Sequence, residues 1–232
     1  MSFVAGKRAI SVSHDPFADD APQAEASWAG QQYWLELLTG GLTFDLTGLA
    51  PGPASAFPTF THRFDLPILP LASDHEVLTL RPGPHLAAGP GSLPVNRAML
   101  ALACDLVRHF ADLVAVAWPA SASVIGRRYF ESVTSAWLDG GPFPALGLTA
   151  FIETPDGALQ SSGLSFWIGQ ELRIEPPLSA DRVAATRLGV RLVNHLVLIG
   201  GLMADDRITA PDGTRLVLRP SQNRAIIGVW RE

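Results

Sequence analysis

Hydrophobic positions recur with helical spacing in two long stretches of this chain and alternate with period two through much of the rest. Between residues 95 and 113, Met99, Leu102, Leu106, Phe110 and Leu113 fall on one face, widened by Ala98 and Ala103. That spacing predicts an amphipathic helix. Leu188, Leu192, Leu196 and Ile199 repeat the pattern between 179 and 199. There Ser179 is placed to cap the helix, Asp181 to sit in its first turn, and Gly200-Gly201 to end it. A third helix is expected over 127–138, stopped by Gly140-Gly141-Pro142. A fourth is expected over 24–38, where Trp28, Leu35 and Leu38 recur near helical spacing before Gly40-Gly41.

Alternation predicts strands over 7–13, 42–46, 146–153, 158–168, 171–175 and in the last two segments, TRLVLRP and AIIGVW; LVAVAW (113–118) reads as a buried strand. Pro155-Asp156-Gly157 and Pro211-Asp212-Gly213 supply turns, with proline presetting φ and glycine free to take a positive one. Residues 51–94 hold nine of the nineteen prolines, which excludes helix there. Within that region THRFDLPIL and HEVLTLRP read as strands, and 82–94 as a loop suited to a flap or a subdomain boundary. Strands outnumber helices and short turns join several of them. The expectation is a single α+β domain over 1–232, a mainly antiparallel sheet packed by three or four helices.

Composition narrows the function classes. A chain of 232 residues with 47% hydrophobic and 17% charged residues builds a core rather than staying disordered. A net charge of −5 without a basic stripe argues against nucleic acid as a partner. Lys7 is the only lysine, and the abundance of Arg, Ala, Gly and Pro fits a GC-rich bacterial genome. Cys104 stands alone, so an intrachain disulfide and a cysteine-based zinc site are both ruled out, and no metal or cofactor is expected. The first twenty residues hold no apolar run of signal-peptide length. Asp105 and Asn194-His195 break the longest apolar stretches short of a membrane span, so a cytoplasmic location away from the membrane is expected.

From about Val95 onward, the order of segments is distinctive. A long helix runs into LVAVAWPASASVI, then a helix with RRYF, then LGLTAFIETPDG, SSGLSFWIGQELRIEP, a long helix and a final hairpin. This resembles the bacterial domain-of-unknown-function 4261 family, through Trp118, Pro119, Ser123, Gly163, Leu164, Gly169, Glu171, Leu172 and Ile174. The resemblance covers roughly the last 60% of the chain and brings no catalytic residue with it.

The fingerprints of phosphate-binding loops, dinucleotide folds, zincins, EF-hands and serine-hydrolase elbows do not occur in the sequence. Asp105, His109 and Asp112 share a helix face, either as a potential metal or base site or as an ordinary solvated stripe. Arg187, Arg191 and His195 form a second row, an anion stripe or again a solvated face. His62, Asp65, Asp74, His75 and His85 make the densest His/Asp group, though His62 and Asp65 have opposite strand parity. Cys104 and His109 point about 140° apart and cannot act as a local pair. Trp118, Trp137, Trp167 and Trp230 read as core or interface residues. The best candidate for a ligand is the turn after Trp118. There Ser121 and Ser123 would open a helix with unpaired N–H groups, and Arg127 and Arg128 would add charge for an anion. The function expected is a non-enzymatic module that binds a protein or small molecule. The rival is a hydrolase or transferase built from His62, His109, Glu171 and His195 converging from distant segments.

Overall fold

Period-two burial drives most of the structure, a computed structural model that describes residues 2–5, 8–15, 34–50, 52–86, 92–210 and 212–232. The fold is α+β with sheets that are mainly antiparallel. The chain forms two compact units, Met1–Pro58 with Ile68–Val114, and Thr59–Pro67 with Ala115–Glu232.

The first unit is a five-stranded antiparallel sheet, in the order β1 (Ser2–Ala5), β2 (Arg8–His14), β3 (Trp34–Thr39), β4 (Leu42–Thr47), β6 (Thr79–Pro82). β3 lies where a helix was expected over 24–38; residues 24–33 lie outside the described ones. The hairpin with β4 decides it. Leu35 and Leu37 alternate with Trp34, Glu36 and Leu38, and Gly40 and Gly41, both at positive φ, make the tight turn into β4. Ile10, Leu37, Phe44 and Leu46 form the buried face. The helix α1 (Leu93–His109) packs on β4 and β6. It starts two residues earlier and ends four earlier than its periodicity suggests. Its buried arc is also wider, taking in Asn96, Leu100, Cys104 and Asp105. Asp105 is therefore not on a solvated stripe: it is 5% exposed and lies 3.3 Å from the Arg108 guanidinium. The loop proposed as a flap or boundary has its centre, 87–91, outside the described residues.

On the opposite face of this sheet, four polar residues stand directly across from one another: His14, Glu36, Asp45 and Arg81. Ser13 donates to Glu36 Oε1 at 2.6 Å. One oxygen of Asp45, Oδ1, is inaccessible and has no hydrogen-bond partner among the described residues. Burial first, and then the neighbouring Glu36 charge, raise the Asp45 carboxyl above its ordinary range, while His85 and His14 pull it down.

The second unit holds two sheets. A six-stranded sheet runs β12 (Asp206–Thr209), β13 (Arg215–Pro220), β14 (Ile226–Arg231), β11 (Glu171–Ile174), β10 (Leu159–Ser162), β9 (Ala150–Glu153), with only β11 and β14 parallel. A three-stranded sheet runs β5 (His62–Phe64), β8 (Ser123–Gly126), β7 (Ala115–Trp118), with β5 and β8 parallel. The long helix α5 (Arg182–Ile199) packs on β10 and β11, burying Leu192, Val193 and Leu196 where Leu172, Ile174, Leu216 and Leu218 are also buried. Its cap is Asp181, which accepts from the N–H groups of Val183 and Ala184 at 2.9 and 3.0 Å. Ser179, the expected cap, instead donates to the Gly157 carbonyl at 2.6 Å. The helix α2 (Arg127–Leu138) matches its expected bounds, and two four-residue helices follow, α3 (Ala145–Leu148) and α4 (Ser165–Ile168). No helix among the described residues is long and apolar enough to cross a membrane.

Candidate functional site

The serine-rich turn is built differently from the sequence expectation. Ser123 opens β8, so a strand stands between the serines and the helix; α2 starts at Arg127 as expected, with Gly126 as its N-cap. Ser121 and Ser123 are both buried. Ser121 donates to the Gly147 carbonyl at 2.9 Å, and its oxygen sits 2.8 Å from Ser123 Oγ. These hydroxyls tie the β7–β8 turn to the α3 loop. Arg127 is half-buried and Arg128 exposed in the first turn of α2.

Glu171 is equally committed. Its carboxylate accepts from Ser161 Oγ at 2.5 Å and from the backbone N–H groups of Gly163, Leu164 and Ser165 at 2.9, 3.2 and 3.0 Å. Ser161 Oγ in turn accepts from the Leu172 N–H at 2.7 Å. The carboxylate thus holds the turn after β10 and the start of α4, a role that gives Gly163, at φ +92, its place: a side chain there would strike Ser121. That turn sets Trp167 in an aromatic cluster. It stacks on Trp118 at 5.7 Å between ring centroids and meets Trp137 and Phe143 edge-on at 5.9 and 5.0 Å. Trp118 and Trp167 are buried, as expected for core residues, and Trp230 is 38% exposed beneath the Arg219 guanidinium.

The candidate histidines disperse. His109 belongs to the first unit. His195 lies nine residues along α5 from Thr186, about 13.5 Å further on and half a turn round the helix; its Nε2 is buried without a partner among the described residues. In the His/Asp group, His75 Nδ1 is 3.2 Å from the Leu71 carbonyl and His85 Nε2 is 3.2 Å from Thr43 Oγ1. No group of three or more His, Cys, Asp or Glu side chains among the described residues is placed to hold a metal ion.

His62 is the exception, because it lines an open groove of about 290 Å³ within the second unit. Thr61, His62, Arg63 and Phe64 form one wall; Leu146, Ala150 and Phe151, with Thr186 of α5, form the rest. Two close approaches shape it. Asp65, just past β5, brings its carbonyl so near Gly126 that a Cβ there would sit 2.1 Å from the oxygen. The Phe151 ring lies on Gly189 of α5, where a Cβ would meet ring carbons at 2.7 Å. Beside the Asp65 turn, burial and then the Asp65 charge raise the Tyr129 phenol above its ordinary range. No carboxylate among the described residues pairs with Arg63, which is exposed at the rim. Sequence reasoning placed His62 and Asp65 in a group but missed the groove, whose walls come from four separate elements.

In comparison with known proteins, no family model, no curated protein and no solved structure matches the chain.

Proposed function

We propose that this protein is a non-enzymatic binding module of the bacterial cytoplasm that holds its partner in the groove of the second unit. The observation that carries the reading is the make-up of that groove. Apolar Phe64, Leu146, Ala150 and Phe151 line it together with Thr61, His62 and Thr186, which can hydrogen-bond, and Arg63, which brings a positive charge. Among the four groups nominated for catalysis only His62 reaches it, and Glu171 has its oxygens filled by four donors, so a nucleophile–base pair is not assembled there. Kinship with the 4261 family is likewise a proposal, resting on the Trp118, Gly163-Leu164 and Glu171 motifs.

Backbone amide chemical-shift mapping tests the reading with a panel of short peptides, dicarboxylates and phosphates. The expected result is a saturable response at Thr61–Phe64, Ala150–Phe151 and Thr186. Response confined to other residues, or none from any probe, overturns it. Ester or phosphoester hydrolysis that disappears in His62→Ala would replace it with the hydrolase reading.

A further inference from the structure

The groove lies between two sheet edges. β5 ends the three-stranded sheet and β9 ends the six-stranded one, and residues of both line it. The backbone on each edge can be assigned by parity. The His62 N–H bonds the Ala122 carbonyl at 3.1 Å, so residues 62 and 64 face β8, and the N–H and C=O of Arg63 point the other way. In the β9–β10 hairpin the Thr154 N–H bonds the Ala158 carbonyl at 2.9 Å. Counting back in steps of two makes Ile152–Gln160 and Ala150–Ser162 the bonded pairs. Phe151 and Glu153 therefore turn their N–H and C=O groups outward. An open edge that also carries an apolar lining is a template for another strand.

Charge and alternation specify the strand. Along an extended segment, side chains point alternately to opposite sides. Inward ones would meet Phe64, Leu146 and Phe151, and outward ones would pass the rim, where Arg63 stands with its guanidinium unpaired among the described residues. We propose that the groove takes an extended peptide segment of apolar–acidic alternation from a partner protein. The segment adds as a strand beside β9 and β5 and sets its acidic side chain on Arg63, with His62 on the opposite face of β5 alongside Phe64. This deepens the binding-module reading and rests on the groove being the site.

The test uses the full chain and a blocked, fluorescein-labelled pentapeptide alternating valine and glutamate, read by fluorescence polarisation. Three comparison probes accompany it: the valine–lysine version, a version N-methylated at alternate residues to remove one edge of backbone donors, and glutarate followed by amide-shift mapping. The acidic peptide is expected to bind, more weakly as salt rises. The lysine and N-methylated versions are expected to fail, and Arg63→Ala to weaken binding about two- to fivefold, the scale of an exposed ion pair. Thr186→Trp, which fills the groove from α5, should abolish it; if that variant misfolds by circular dichroism, Arg63→Glu serves, with loss of acidic-peptide binding and gain of the lysine version. Equal binding of the N-methylated peptide, or indifference to both variants, overturns strand addition. Failure of every peptide while glutarate still perturbs Thr61–Phe64 also overturns it and leaves the groove reading standing. Failure of glutarate as well removes both.

Discussion

Replacing Asp45 by asparagine should make the protein more stable at neutral pH, although it removes a charge from a row that contains both signs. Asp45 stands directly opposite Glu36 on the neighbouring strand, and directly opposite Arg81 on the other side. No ion pair joins it to Arg81 among the described residues, and its Oδ1 is inaccessible and unpartnered. Like charges directly across a sheet are destabilising, and on the scale of favourable cross-strand pairs the cost is about 0.2–1 kcal/mol. In a chain of this size such a gain raises the melting temperature by up to about 4 °C. The pH dependence fixes the sign. Burial, then Glu36, raise the folded-state pKa of Asp45 above its unfolded value. The folded state therefore holds this proton more tightly, and stability falls as pH climbs from the unfolded value near 3.9 through the folded one. Above that window the penalty is complete; below it, protonated aspartic acid resembles asparagine. Urea denaturation of wild type and Asp45→Asn from pH 3.5 to 7.5 should give curves that converge at the acid end and separate towards neutrality, with the variant higher. A variant less stable at pH 7 would mean that Arg81 or the two histidines outweigh Glu36. A gap independent of pH would mean that charge is not the cause.

Other substitutions test the packing around the groove and the elements that hold it. Gly126→Ala forces a Cβ against the Asp65 carbonyl and should cost about 3 kcal/mol in chemical denaturation, because backbone must move to relieve it. Gly189→Ala gains up to about 1 kcal/mol of helix propensity and pushes only the end of the Phe151 side chain; its melting point should stay within a few degrees of wild type while groove ligands bind more weakly. Glu171→Gln replaces one acceptor oxygen with a donor facing backbone N–H groups and should cost about 2–3 kcal/mol, with a change in near-ultraviolet circular dichroism from Trp167. Asp181→Ala removes the α5 cap and should cost about 0.5–2 kcal/mol by urea titration, whereas Ser179→Ala should leave helicity at 222 nm unchanged.

The long helices were legible because their signal is redundant: α1 and α5 repeat an apolar face over several turns, and errors of a few residues at three of their ends do not hide it. β3 was not, because WLELL satisfies helical and alternating spacing over so few residues, and only its pairing with β4 decides between them. Asp105 was read as solvated by assuming one narrow buried face; α1 buries a wider arc, and the charge follows it inside with Arg108 close by. Ser179 and Asp181 are both good caps by residue type. What separates them is the Gly157 carbonyl, brought from twenty-two residues away, which claims the serine. The same limit explains the serine turn. Ser121 and Ser123 have the composition of an anion loop, but their hydroxyls are engaged by Gly147 and by each other.

The groove shows why a site of this kind escapes a linear reading. No motif marks it, because none of its chemistry depends on residues at a fixed spacing. Its two walls are short edge strands from different sheets, and what holds them is the lack of a side chain at Gly126 and Gly189. In sequence these glycines look like a helix boundary and a mild helix defect. In the fold one lets the chain after β5 lie on the β8–α2 junction, and the other lets Phe151 lie on α5. Close approach at both glycines leaves β5 and β9 flanking the groove, with the outward backbone groups of Arg63 and Phe151 unused among the described residues. Proteins ordinarily blunt such edges with charge or brevity. β5 has both, being three residues long with an arginine at its centre. β9 has four residues, and Ile152 on it is exposed. If the proposed strand addition holds, the Arg63 charge that discourages a second apolar strand on β5 is the same charge that would select an acidic one.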